Sequence, residues 1–438
     1  MQTALKPRGR DSWMTGLCAR GGTECGCSSV NGLARPSIAP QMKHQYPCIP
    51  TPPDRSAAAV PARAGGVPHA AWGWRFWHAL RHCVNLVQRL LQHGTLSSAG
   101  MGGRVMLLCG WLASSPSFAA SSVDCARSAP VPWRAVVPGV WTWLPRQISE
   151  SAPGNQGHVL PITVVVEGGE ALVIDPGPNF AHGQRVRDSL ACHFGARPRG
   201  VVNTHAHAVN VLGNAAFADL QASGQLQIMA SAGTRDAMLQ RCPQCLQSLT
   251  QQLGAAAMRH TRIVLPDRVL LAGEVLAVGR LRLQVLLADN AHTESDLLLW
   301  MPAQRLLLAG GLVYDQRLPE LAQGSVKGWL AALQDMTALQ PRMVLGSGLS
   351  VAADGHSVPP ALVATQHYLQ GLRTRLLAAM DQGLHGSETQ SLAWPEHTHW
   401  VDFETRQTFN VQRAWRELEV EWMNEAAPPP GSVPDVGR

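Results

Sequence analysis

Two histidines close an apolar run in the segment Gly200-Val201-Val202-Asn203-Thr204-His205-Ala206-His207. Residues two apart in extended chain project to the same side. His205 and His207 can therefore grip one cation at the mouth of a strand. A third histidine, His292, follows the strand-like run 281–287, inside Ala291-His292-Thr293-Glu294-Ser295-Asp296. Three neutral imidazoles suit zinc and leave a fourth position for water. The expected ligands are thus His205, His207 and His292, around one zinc ion. Two carboxylates are candidate catalytic or supporting groups. Asp175 ends the run Val173-Ile174-Asp175, and Asp289 stands three residues before His292, where it could brace the ligand from behind. Each has a plainer reading as a structural hydrogen-bonding group, as does Asp296 in the loop after His292. A His-x-His pair on an arbitrary strand is more often a surface pair. His158, His182 and His193 are read as surface or packing residues.

The order of the surrounding motifs makes the histidines more specific. Val-Ile-Asp-Pro-Gly at 173–177 comes first, then Thr-His-Ala-His at 204–207, Gly213-Asn214, and Ala-His-Thr-x-x-Asp at 291–296. Leu-Leu-Ala-Gly-Gly-Leu-Val at 307–313 and Leu-Gly-Ser-Gly at 345–348 follow. This order resembles the metallo-β-lactamase superfamily from about Val137 to about Trp422. Within it, the chain is most similar to periplasmic metallohydrolase-like proteins associated with quinoprotein (PQQ) and sulfur-oxidation systems. The closer match rests on 213–217, Tyr314 to Pro319, Trp329 and Thr408 to Trp415. The resemblance implies an αββα sandwich, α+β in class, with two mixed sheets between helices and a C-terminal helical extension. It also implies a defect. The family's His-x-His-x-Asp-His has Val209 at the Asp position and Asn210 at the last His. Gly311 stands where the family carries a metal-bridging Asp, and Ser347 where it carries its final His. The set that would hold a second metal is therefore expected to be missing, while the first-site trio is intact.

Ten cysteines and a net charge of +6 are unevenly distributed over the 438 residues. Residues 1–100 carry 11 Lys/Arg against 3 Asp/Glu, and residues 120–438 carry 24 against 27. The body is slightly acidic and has no basic stripe, so a nucleic-acid partner is not expected. Met101 opens a second start. Arg104, the apolar run Val105 to Leu112, and Ser117-Phe118-Ala119 have the layout of a secretory signal cleaved after Ala119. That run is too short to span a bilayer. Residues 1–100 are read as a spurious or disordered extension, and 101–119 as the signal of a periplasmic protein. The rival reading makes Trp72 to Leu91 a basic amphipathic helix on a membrane surface. Four cysteines remain after the proposed cleavage: Cys125, Cys192, Cys242 and Cys245. An even number in an oxidising compartment favours disulfides, either within Cys242-Pro243-Gln244-Cys245 alone or as two bridges that use Cys125 and Cys192. A redox or zinc role for the C-x-x-C is the minority reading.

The elements that position these groups follow from periodicity. Strands are expected at 136–143, at 160–166 and 171–175 around a Glu-Gly-Gly-Glu turn, at 200–204, 228–230, 269–277, 281–287, 297–301, 305–308 and 343–345. Helices are expected at 178–194, 211–220, 236–258, 326–339, 361–380 and 407–423. The metallo-β-lactamase-like domain is placed at 130–355, the helical extension at 356–423 and a disordered tail at 424–438. Two functions follow. One is a periplasmic mono-zinc hydrolase of an ester, thioester or lactone, accessory to a quinoprotein oxidation system and its proteins. The alternative is a catalytically inactive binding protein of the same fold.

Overall fold

The computed structural model describes residues 123–147, 150–321, 323–354 and 357–426. The extension at 1–100, the signal at 101–119 and residues 427–438 of the tail lie outside them. All described residues fall in one unit, Ser115–Arg438.

Alternation along the strands builds the layers. The first sheet holds β1 (Arg134–Val137), β2 (Val140–Trp143), β3 (Ile162–Glu167), β4 (Glu170–Ile174), β5 (Arg197–Val202), β6 (Gln227–Ala230) and β7 (Arg268–Val269), neighbours in that order. Pairing is antiparallel up to β4 and parallel from β4 to β7. The second sheet runs β13 (Leu349–Val351), β12 (Met343–Leu345), β11 (Leu306–Leu308), β10 (Ser295–Met301), β9 (Leu281–Asp289), β8 (Val275–Val278). Its one parallel pair is β11 with β12. On β10, Leu297, Leu299 and Met301 face the first sheet, joining Val165, Ile174 and Val202 in a core between the sheets. Leu298 and Trp300 face the other way. This period of two is what a strand buried on both faces requires.

Helices cover both outer faces. The first sheet is covered by α1 (Phe180–Phe194), whose Val186 and Leu190 pack on Val164 and Val173. The second is covered by α5 (Val326–Ala338), α6 (Pro360–Asp381) and α7 (Phe403–Ala426). Trp329, Leu333, Leu369, Leu372, Ala414 and Leu418 share a single core there with Leu298 and Leu307. The four-layer αββα sandwich is therefore present. The C-terminal helices are part of its outer layer and share one core with the second sheet.

Three differences from the sequence expectations have local causes. The single strand expected at 269–277 is two strands in different sheets, β7 and β8. Gly273 at φ +84° lies between them, a left-handed conformation that glycine adopts without strain. The helix expected from 236 starts at Ala232 as α4 (Ala232–Leu253), because the Ser231 side chain accepts from the Thr234 amide at its N-terminus. It stops at Gly254 rather than at 258. Finally, α7 continues to Ala426, past the expected boundary at 424. Cys125 and Cys192 form a disulfide, whereas Cys242 and Cys245 are free thiols. Both thiols ride on α4, where Cys242 is buried against Ala206, Val211 and Met238. Among the described residues no helix is long and apolar enough to cross a membrane.

Candidate metal centre

The histidine loop is built where β5 leaves the first sheet. The Asn203 amide still bonds the Met229 carbonyl, and the Thr204 carbonyl accepts from the Leu297 amide of β10 at 2.8 Å. One residue thus ties the end of β5 to the opposite sheet. His207 then serves as the extended N-cap of the short α2 (Ala208–Val211). Asn203 and Asn214 exchange amide hydrogen bonds at 3.0 and 2.8 Å, and Asn214 also donates to the Val264 carbonyl. A Cβ on Gly213 would sit 2.4 Å from the Pro176 carbonyl oxygen, so the Gly213-Asn214 pair allows close approach of this loop to the Asp175 turn.

His205, His207 and His292 converge. Their ring centroids lie 4.7–4.9 Å apart, and one ring nitrogen from each lies within 4.8 Å of the others. His205 and His292 are fully buried. Hydrogen bonds behind the rings fix which nitrogens are bare. The Thr204 hydroxyl donates its one proton to Asp175 Oδ2 at 2.6 Å, so His205 Nδ1–H must donate to Thr204 Oγ1 at 2.8 Å. His292 Nδ1 donates to the Glu320 carbonyl at 2.8 Å, and His207 Nε2 to Gln323 Oε1 at 2.8 Å. The lone pairs left facing one another belong to His205 Nε2, His207 Nδ1 and His292 Nε2. The last two are 3.2 Å apart, and His205 Nε2 is buried without any partner. Tetrahedral zinc with bonds of about 2.0–2.1 Å separates its ligand atoms by about 3.4 Å. Unshared lone pairs at such a distance, in a buried site, fit a cation between them.

Electrostatics agree. Burial, reinforced by repulsion from His207 and His292, holds the His205 imidazole well below its usual range. Burial, then His207, brings His292 down to about 3. Both rings are therefore neutral, as metal ligation requires. Burial raises Asp175 to about 6, against the pull of bonds from the Thr204 hydroxyl and amide and from Asn210. Asp175 sits at φ +51°, a conformation that lets its carboxyl reach back to the Thr204 amide at 2.9 Å. Asp296, raised to about 7 by burial, braces the following loop through the Thr293 amide and hydroxyl at 2.8 and 2.9 Å.

The structure brings the three histidines together and places Asp175 one hydroxyl behind His205. It does not bring Asp289 there. That residue is exposed at the end of β9, in a groove beside Met336 and Leu339, and makes no hydrogen bond to His292. His158 and His182, expected as surface or packing residues, are buried against Trp143. The positions expected to lack second-metal ligands are occupied in telling ways. Val209 lines the cavity, Asn210 is buried with its Oδ1 unpartnered, and Ser347 Oγ accepts from the Asp315 amide at 3.0 Å. A Cβ on Gly311 would meet His292 Cδ2 at 2.3 Å and Nε2 at 2.6 Å. The trio is the one cluster of three or more His, Cys, Asp or Glu with metal-ligand geometry among the described residues.

Several contributors carry no sequence signal. Glu320 and Gln323 lie just before α5, in a stretch that α7 holds from far along the chain. Asn410 accepts from the Leu321 amide at 3.1 Å and donates to the Pro319 carbonyl at 2.7 Å. Glu417 caps α5 through Ser325 Oγ at 2.7 Å and the Val326 amide at 2.9 Å. Trp329 packs on His292 at 5.2 Å and donates to the Leu312 carbonyl. A cavity of about 200 Å³ opens beside His207.

No family model matches the chain, and no curated protein does. Among solved structures it is similar to a metallo-β-lactamase from Pontibacter korlensis (18% identity, 55% of this chain, 99% of that one, TM-score 0.41). It is also similar to one from Hirschia baltica (15%, 55% and 98%, TM-score 0.41). A third, from Pseudomonas aeruginosa in a mono-zinc form, gives 16%, 56% and 96%, with TM-score 0.40.

Proposed function

We propose that the chain is a mono-zinc hydrolase of an ester, thioester or lactone. The observation that carries this is the trio of bare, mutually facing imidazole nitrogens, one of them a buried orphan. When bound, zinc supplies Lewis-acid chemistry that polarises an acyl carbonyl and activates water near neutral pH. The chain's own residues do the rest. His205, His207 and His292 bind the ion, and Thr204, the Glu320 carbonyl and Gln323 fix the tautomer and aim of each ring. Asp175 acts through Thr204 and is assigned a positioning role. Asp289 has no part in this reading, because it faces a different groove. Trp329 and Tyr314 wall the His292 ring, keeping water from that side.

The replacements at Val209, Asn210, Gly311 and Ser347 favour one metal over two, and they also favour the second reading, an inactive binding protein of the same fold. Metal content separates the two. Protein purified without chelators is expected to carry about one zinc, lost together with ester hydrolysis in His205→Ala. Zinc near zero under zinc-replete conditions would leave the binding protein. Export to the periplasm remains part of the proposal, supported by the Cys125–Cys192 disulfide, which persists in oxidising compartments. An accessory role beside quinoprotein-system proteins rests on the motif resemblance alone.

A further inference from the structure

The cavity beside His207 has an unusual charge arrangement. Val159, Leu160, Val209 and Leu249 line it beside Ser248 and Gln252, and two guanidinium groups, Arg317 and Arg406, also reach it. Neither is free. Arg317 Nε pairs with Asp402 Oδ2 at 2.7 Å, both side chains being 5% exposed, and its Nη1 donates to the Val159 carbonyl. Arg406 Nη1 pairs with Glu320 Oε2 at 2.5 Å, its Nε lies 3.5 Å from Asp402 Oδ2, and Glu150 approaches at 3.9 Å. Asp402 and Glu320 therefore already engage both cations, and Glu320 itself lines the cavity. A substrate carboxylate seeking either guanidinium would have to displace the partner it already holds, Asp402 or Glu320, and would meet the Glu320 carboxylate in the cavity wall. At the Arg317–Asp402 pair, where both side chains are buried, such an exchange leaves a charge unpaired, which low-polarity surroundings penalise heavily.

We propose that the site, read as the mono-zinc hydrolase above, takes esters or thioesters whose acyl portion is small and uncharged, with Arg317 and Arg406 serving as scaffold rather than as receptors for a substrate carboxylate. About 200 Å³ beside His207 is room enough for a short aliphatic or single-ring acyl group, since a cavity of about 150 Å³ holds benzene. In the reaction, water adds its oxygen to the acyl carbon and the C–O or C–S bond breaks; one of the water's protons leaves with the alcohol or thiol, and the other passes to solvent as the acid ionises to a carboxylate. The carboxylate product likewise finds both guanidinium groups already paired.

Two hydroxamates with one metal-binding head and different tails test this without relying on turnover: butyrohydroxamate and the monohydroxamate of succinate. Binding to the zinc-loaded protein is measured by calorimetry, with metal content determined on the same sample. The uncharged tail is expected to bind at least tenfold more tightly. Glu320→Gln, which releases Arg406, is expected to narrow that gap at least threefold, and Asp402→Asn to do the same through Arg317. Hydrolysis of p-nitrophenyl butyrate over the hemisuccinate ester should follow the same order. A zinc-containing protein that binds the succinate probe equally well, or neither probe, overturns the charge argument alone. So does a gap unchanged in both variants. A protein without zinc overturns this inference together with the reading it rests on.

Discussion

Replacing Thr204 by valine removes one oxygen and keeps the shape. That oxygen receives the His205 Nδ1 proton at 2.8 Å and gives its own to Asp175 Oδ2 at 2.6 Å. Thr204 is 1% exposed, so water cannot take over. Asp175 keeps its bond from the Thr204 amide at 2.9 Å. His205 Nδ1–H is left with nothing. A buried donor without a partner costs about 1–3 kcal/mol, and a lost bond to a charged group about 1.5–3 kcal/mol. The two losses share one hydroxyl and do not simply add, so about 2–3 kcal/mol of folding stability is expected to go. Zinc affinity should fall further, because His205 can now rotate or adopt the other tautomer. Loss of a partner behind a ligand typically costs 10–100-fold in metal affinity. Urea denaturation of the metal-free protein reads the first quantity, and competition with a chromogenic chelator reads the second. If Thr204→Val binds zinc within threefold of the wild type, the Asp175–Thr204–His205 relay does not position the ligand.

Placing an acidic residue at Gly311 should not create a second metal site. The Cβ alone would lie 2.3–2.6 Å from the His292 ring, so Gly311→Asp is expected to weaken zinc binding at least tenfold; an elemental analysis showing two zinc ions per chain would refute that. Acid should destabilise the metal-free protein through a second buried pair. Burial, then the neighbouring charges, lowers His182 to about 3, and burial lowers His158 to about 4, both from 6.5. The unfolded chain binds these protons first, so the stability they contribute is complete above about pH 6.5 and is lost as pH falls toward about 3–4. The urea midpoint of the wild type should therefore drop more steeply across that window than that of His182→Gln. Parallel curves would show that the His158–His182 pair is not the acid-sensitive element.

The convergence of the three histidines was legible because they obey local rules. His205 and His207 sit at extended spacing just past an apolar strand, and His292 follows another. Their hydrogen-bonding support was partly legible, since Asp175 ends a strand whose neighbour carries the ligands. The rest lies in contacts between residues far apart in the chain. Glu320 meets Arg406, Gln323 meets His207 and Glu417 caps α5 across separations of about ninety residues or more. No periodicity encodes such pairs. Asp289 shows the opposite failure. Three residues from a ligand looks close in sequence, but the turn at Asn290, at φ +51°, separates the strand end from the metal loop. The 269–277 segment was misread because an apolar run bridges both sheets, and only the backbone conformation at Gly273 reveals where one ends.

Asn410 and Glu417 lie near the end of the chain, yet they grip the loop whose carbonyl and amide groups aim His292 and His207. During synthesis, all three imidazoles emerge from the ribosome more than a hundred residues before the helix that steadies them. Full aiming of the three rings therefore requires α7 to dock, and a chain trimmed before residue 410 keeps the three histidines but loses the brace that orients two of them.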